Sequence, residues 1–453
     1  MAVHQCENPI RYDRAIRGAF APVELGFHWG PLWSTAWFRL RGEVPAEWAG
    51  QPWRVLFDTR TEACCWWDGS PYQGVELHRQ DIELPATAGP GDPLELYVEA
   101  ACNHMLGVGT EYGDPSRIGA FPDVQGGVLK LAHVARHHPE RAALADDLDA
   151  LIGLAEASVA FDGGALENAK TTVCDPARSR RLLASLEEVC RRLDHDFEGK
   201  AIDRDLPAAR AACAQAFGAD AGPTRNRTVA VGHAHIDLAW LWPIRETKRK
   251  ASRTFSTVIR YMQRHPEYRF VQSMPQLYEW VRQEYPGLFA QILDAIKRGQ
   301  WEVGGAMWVE PDCNIPCGES FCRQLLYGMK FCQEVLGQVP TYLFLPDVFG
   351  YSSALPQLIK LAGLDAFVTQ KISWNDTNRF PHHSFNWFGQ DGTAVLSHFL
   401  PANDYNATNH PAEIALADAR YAQSGTAPTL SADISPVWTP DSGLQVRPNR
   451  NLP

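Results

Sequence analysis

HAHIDLAWLW, at residues 233–242, is the stretch on which the reading of this chain turns. It follows the apolar run TVAVG at 228–232, which reads as a buried strand. Ligand-type side chains therefore stand at the end of a strand. Residues two apart on a strand share a face, so His235 and Asp237, with His233 as a further candidate, can converge on one metal ion from a single segment. Trp240 and Trp242 follow, offering flat apolar faces beside a charged centre. That combination suits a sugar ring, which has CH faces to stack and hydroxyls to ligate.

Downstream of this segment, apolar strands alternate with helical stretches. The pattern predicts helices over 247–265, 286–298, 320–336 and 355–362, with strands at 269–273, 301–304, 341–345 and 366–369. Such alternation implies right-handed βαβ units, and so a parallel sheet or barrel with function at the carboxyl ends of its strands. Upstream, short β-rich runs at 34–40, 53–57, 74–77 and 94–98 are punctuated by turn clusters such as AGPGDP at 88–93. They predict an antiparallel β-sandwich. Trp66 and Trp67 in that region fit either a sugar-binding surface or a packed core, and core packing is the favoured reading. Between these regions, residues 141–217 carry Ala, Leu, Glu and Arg at helical spacing, as in SRRLLASLEEVCRRL at 179–193.

The expected architecture is thus multidomain: a β-sandwich (1–140), a helical connector (141–224), a parallel α/β barrel-like catalytic domain (225–410) and an irregular tail (411–453). A chain of 453 residues has room for two or three cores. Its formal net charge of -11 argues against binding nucleic acid or an anionic membrane, both of which need basic patches. The amino terminus lacks the basic and apolar stretches of a secretory signal, and no window approaches the roughly 20 apolar residues needed to span a bilayer. The expected compartment is the cytoplasm. Eleven cysteines, with Cys64 and Cys65 adjacent, make a poor disulfide framework, so reduced thiols are expected. The group Cys313, Cys317 and Cys322 fits no strong metal spacing. Without an export signal, the Asn-x-Thr sites at Asn226, Asn375 and Asn406 read as ordinary polar loops.

Three further segments end predicted strands with polar and aromatic residues. LPDVFGYS at 345–352 exposes Asp347 ahead of Gly350, where a carboxylate can serve as metal ligand and nucleophile; a helix-capping aspartate is the bland alternative. GGAMWVEPD at 304–312 carries Glu310 and Asp312, which can bond sugar hydroxyls or form a solvated acidic loop. Lys371 opens KISWNDTNRFPHH at 371–383. Packing alone does not account for four such strand ends.

Residues 229–406 resemble the catalytic domain of glycoside hydrolase family 38, the class II α-mannosidases, and most closely the cytosolic branch. The four segments at 233–242, 304–312, 345–352 and 371–383 carry the resemblance, and FHWGPLWSTAWF at 27–38 is similar to the sandwich domain of that branch. The resemblance implies Zn²⁺, or another divalent cation, held by His235, Asp237 and Asp347, with Asp347 also the nucleophile. It puts Trp240 under the sugar, assigns Lys371 and Tyr405 to the pocket wall, and leaves His233 a structural role. The implied partner is an oligosaccharide with a terminal α-mannose; a homo-oligomer is compatible with it.

The family's fourth zinc ligand, a histidine, and its acid/base aspartate lie beyond the matched region, and no histidine follows His410. Asp404 is a weak candidate for the acid. The chain therefore reads as the front part of such an enzyme, expected to bind metal less tightly and to have little or no mannosidase activity. Two rival readings remain. An amidohydrolase or zinc-dependent carbohydrate deacetylase would use both His233 and His235 as ligands. A non-catalytic carbohydrate-binding relative would keep the pocket without the chemistry.

Overall fold

A computed structural model of the chain describes residues 1–84, 91, 93–103, 126–157, 176–193, 201–220, 230–375, 377–378, 380–402, 410–411, 413–414, 417, 421 and 443–445. Tyr405, Asp404, Asn226, Asn406 and most of the expected tail lie outside the described residues.

The strand Thr35–Glu43 shows how the first domain forms. Its alternate residues divide between two faces, with Phe38 and Leu40 entering one core and Trp37 facing another. It pairs antiparallel with Pro93–Ala101, beyond which Ala63–Trp67 and Ser70–Val75 continue the sheet. Ala2–Cys6 and Ala21–Pro22 extend the other side. A second sheet, with Trp53–Asp58 between Leu131–Arg136 and Asp81–Ile82, shares a core with the first around Phe38, Val55, Phe57, Ile82, Leu96 and Val98. This is the sandwich that the turn spacing predicts. Trp66 is buried and stacks on Tyr12 with ring centroids 4.9 Å apart, a core role.

The connector is three helices, Pro139–Ala157, Pro176–Arg192 and Ala201–Asp220, closed around Leu151, Leu182, Val189, Leu206 and Cys213. The ten cysteines among the described residues are free. Among the described residues no helix is long and apolar enough to cross a membrane.

In the third region Val231–His233, Phe270–Gln272 and Trp301–Val303 run parallel, with Gly443–Gln445 antiparallel on the outer edge of the first. A second sheet runs Tyr342–Phe344, Ala366–Thr369 and Ala394–Phe399 in parallel and ends on the antiparallel Ser384–Phe388. The helices Ile244–Arg264, Pro286–Lys297, Gly318–Phe331 and Leu355–Leu361 fall where periodicity predicts them. The helix Pro275–Glu284 was not expected, because two prolines bracket only ten residues and Leu277, Tyr278 and Val281 make little more than one apolar turn.

The expected parallel α/β organisation is present as these two sheets, and among the described residues no ladder joins them into a closed barrel. Gly305 and Ala306 both adopt positive φ, 89° and 71°, and turn the chain off the edge directly after Trp301–Val303. Each strand is short, and each hands the chain to a loop at its carboxyl end.

The helix Ile244–Arg264 ties this region to the sandwich. Phe255, Val258, Ile259 and Met262 bury one face, at about 1.5–3 kcal/mol for each large apolar side chain. Arg249, Lys250 and Arg253 are buried too, and they are paired with the sandwich: Arg249 donates to Thr35 at 2.8 Å, and Lys250 and Arg253 donate to Glu62. Thr257 accepts from the Gly74 backbone N–H at 2.9 Å.

Candidate metal and active site

Four loops at carboxyl ends of strands build the site. The strand Val231–His233 ends before the ligand segment begins, so the two-residue alternation expected for His233, His235 and Asp237 no longer holds. His233 is buried, its ring edge-on to Phe344 with centroids 4.9 Å apart. Burial, and then repulsion from His235, push its imidazole well below the ordinary value. His235 has its Nε2 3.4 Å from Asp237 Oδ1 and 3.5 Å from Asp347 Oδ2.

These three residues each offer one ligand atom, all within 4.8 Å of one another. Two donors about 2.1 Å from a tetrahedral ion stand about 3.4 Å apart, and the two distances from His235 Nε2, 3.4 and 3.5 Å, match that spacing. Both nitrogens of His235 are buried without an aligned hydrogen-bond partner. A neutral imidazole nitrogen between two carboxylate oxygens is a donor set that would suit zinc or another divalent cation. Without an ion, burial pushes the imidazole of His235 down, but Glu310 and then Asp237 outweigh it and hold it well above its ordinary value. Burial likewise pushes Asp237 up, and His235 outweighs it, leaving this carboxyl below its ordinary range.

Lys371 donates to Asp347 Oδ1 at 2.7 Å, and its ammonium lies 4.1 Å from the Phe349 ring centroid and 3.8 Å from that of Trp374. Phe349 and Trp374 were inside segments singled out in the sequence but were not themselves named; both are exposed aromatics beside a polar centre. Trp240 is half exposed, its ring perpendicular to that of Trp242. Trp242 is a buried strut: its N–H donates to Thr247 at 3.1 Å, and Lys250 sits 4.5 Å above its ring.

Glu310 and Asp312, read from the sequence as partners of sugar hydroxyls or as a solvated acidic loop, take different positions. Glu310 is turned inward, with Oε2 2.9 Å from His235 Nδ1 and Oε1 accepting from Ser273 at 2.9 Å. Asp312 is exposed and closes a local turn by accepting from the backbone N–H of Asn314. Asn314 in turn donates to the carbonyl of Phe349, docking this loop on the one that carries Asp347. The approach of residues 304–312 to Ser273 depends on Gly305, where a Cβ would lie 2.2 Å from the Ser273 carbonyl oxygen. Sequence reasoning missed Ser273 and Gln272; the available signal was a Gln-Ser pair closing an otherwise apolar strand.

Residues 226–437 match the glycosyl hydrolases family 38 N-terminal domain, and residues 1–135 match the alpha-mannosidase jelly roll domain. Residues 226–437 therefore carry a family 38 N-terminal domain. Human Alpha-mannosidase 2C1 is 36% identical over 414 residues, which are 89% of this chain and 37% of the relative. Alpha-mannosidase G of Dictyostelium discoideum is 33% identical over 416 residues, 90% of this chain and 36% of the relative. Alpha-mannosidase of Saccharomyces cerevisiae is 32% identical over 421 residues, 88% and 36% respectively. The chain thus spans little more than a third of the length of these relatives.

Proposed function

We propose that the chain holds a divalent cation, zinc first, through His235 Nε2, Asp237 and Asp347, that Asp347 is the nucleophile towards terminal α-mannosides with retention of configuration, and that this chain by itself is weakly active or inactive. The convergence of these three side chains in a family 38 domain carries the reading.

Retention requires a carboxylate to attack the anomeric carbon and a second carboxyl group, about 5 Å away, to protonate the leaving oxygen. Asp347 suits the first role. Lys371 fixes Oδ1, so the group is held in one orientation at the opening. The exposed face of Trp240 offers the CH side of a sugar a stacking surface. A bound cation would polarise and orient two adjacent sugar hydroxyls. The proton donor is not among the described carboxyls near the site: Asp237 and Asp347 face the ligand position, Glu310 is turned inward and Asp312 closes a turn. Tyr405 keeps its assignment to the pocket wall by family resemblance only.

The amidohydrolase or deacetylase reading is disfavoured, because it needs His233 as a ligand and that ring is packed against Phe344. Equilibrium dialysis of the full chain against zinc tests the proposal. One ion per chain, lost in both His235→Ala and Asp347→Ala, supports it, and no bound ion overturns it. Turnover of an aryl α-mannoside that Asp347→Asn abolishes would separate catalysis from carbohydrate binding alone.

A further inference from the structure

We infer that Glu310 is a positioning residue for the ligand histidine, the centre of a buried polar chain that runs from His233 through Ser273 to His235. The inference rests on the reading that His235, Asp237 and Asp347 share a cation. It moves Glu310 from the sugar to the rear of the metal site.

The side chain of Glu310 is only 5% exposed, and both of its oxygens are committed inward. Oε1 accepts from the Ser273 hydroxyl at 2.9 Å, and Oε2 stands 2.9 Å from His235 Nδ1. Ser273 Oγ in turn lies 3.5 Å from His233 Nε2. The serine is fixed by its backbone N–H, which donates to Gln272 Oε1 at 2.6 Å, while Gln272 Nε2 donates to the Ala234 carbonyl at 3.2 Å. One strand end therefore braces the segment that carries the ligand.

A neutral imidazole has one proton and one lone pair in the ring plane. With a carboxylate facing Nδ1, the proton belongs there and the lone pair belongs on Nε2, which faces Asp237 and Asp347. The Nδ1 contact is short but falls outside hydrogen-bond alignment. The carboxylate also makes the ring a more basic donor. Among the described residues this imidazole is the ion-pair partner of Glu310; a buried carboxylate so placed is costly to keep, and the ligand role supplies the reason for its burial. His233 then has a use besides packing against Phe344: it closes the far end of the polar chain.

The test is zinc affinity of the full chain, measured by competition with a chromogenic chelator, for the parent, Glu310→Ala, Glu310→Gln and His235→Ala. Losses of about 10- to 100-fold in Glu310→Ala, and of about tenfold in the isosteric Glu310→Gln, are expected. The visible absorption of the cobalt-loaded chain should change in both, because it reports the ligand field at His235. Should Glu310→Ala not fold, Glu310→Gln decides alone. Parent-like affinity and cobalt spectrum in folded Glu310→Gln would overturn the inference, and a lowered unfolding temperature by itself would not rescue it. A parent chain that binds no zinc, or His235→Ala that binds as tightly as the parent, would instead bring down the metal reading beneath it.

Discussion

Glu62 of the sandwich and Lys250 of the helix behind the metal loop meet in a buried ion pair, with Nζ 2.6 Å from Oε1 and 2.7 Å from Oε2. Arg253 and Asn103 add hydrogen bonds to the same carboxylate, at 2.9 and 2.6 Å. Burial pushes Glu62 up, but Lys250 and then Arg253 outweigh it and hold the carboxyl below its ordinary range. Three residues before Lys250, the Thr247 hydroxyl bonds the Leu238 carbonyl in the loop that carries Asp237. The sandwich thus grips the helix that steadies a ligand loop.

Breaking that grip from one side leaves two buried cations without their counter-charge. Glu62→Gln should destabilise the chain by about 3–5 kcal/mol, read from urea unfolding. Replacing Glu62, Lys250 and Arg253 together by apolar residues of similar size should cost much less. A Glu62→Gln loss below about 0.5 kcal/mol would show that the pair contributes nothing to stability.

Asp347→Asn keeps the shape of the side chain and removes the charge that faces both His235 and Lys371. Zinc affinity should fall by at least about tenfold. Isothermal titration with zinc measures it, and an unchanged dissociation constant would remove Asp347 from the ligand set.

His233→Ala should leave zinc stoichiometry at the parent value while lowering stability by roughly 1–3 kcal/mol, since the ring fills space against Phe344. Loss of the ion with stability intact would favour the two-histidine amidohydrolase arrangement instead.

His398 gives the chain an acid-side weakness. Burial first, and then His383, push its imidazole down from 6.5 to about 3. The unfolded chain takes up this proton below about 6.5, whereas the folded chain refuses it until near 3, so stability falls progressively as pH drops between those values. Unfolding curves at a series of pH values should show the slope, and His398→Gln should flatten it.

Much of the third region was legible because its helices and strands differ in period and are separated by Gly and Pro. Asp347, His235 and Asp237 could be located at strand ends for the same reason. The partition of roles within the site was less legible. Glu310 and Asp312 are two residues apart in the same acidic loop, yet one is buried against His235 and the other is exposed in a turn. That difference follows from Gly305 and Ala306 turning the chain, a backbone property that hydrophobic periodicity does not encode. His233 was ambiguous because its strand stops at that residue, and the alternation rule lapses one position later.

Gly305 also sets a limit for protein engineers. A methyl group there would stand 2.2 Å from the Ser273 oxygen, in a backbone conformation that L-residues rarely adopt. Saturation libraries over residues 304–312, selected for folded protein, should return glycine at 305. Diversity in that stretch has to come from outward positions such as Asp312, where the turn can be rebuilt without disturbing what lies behind it.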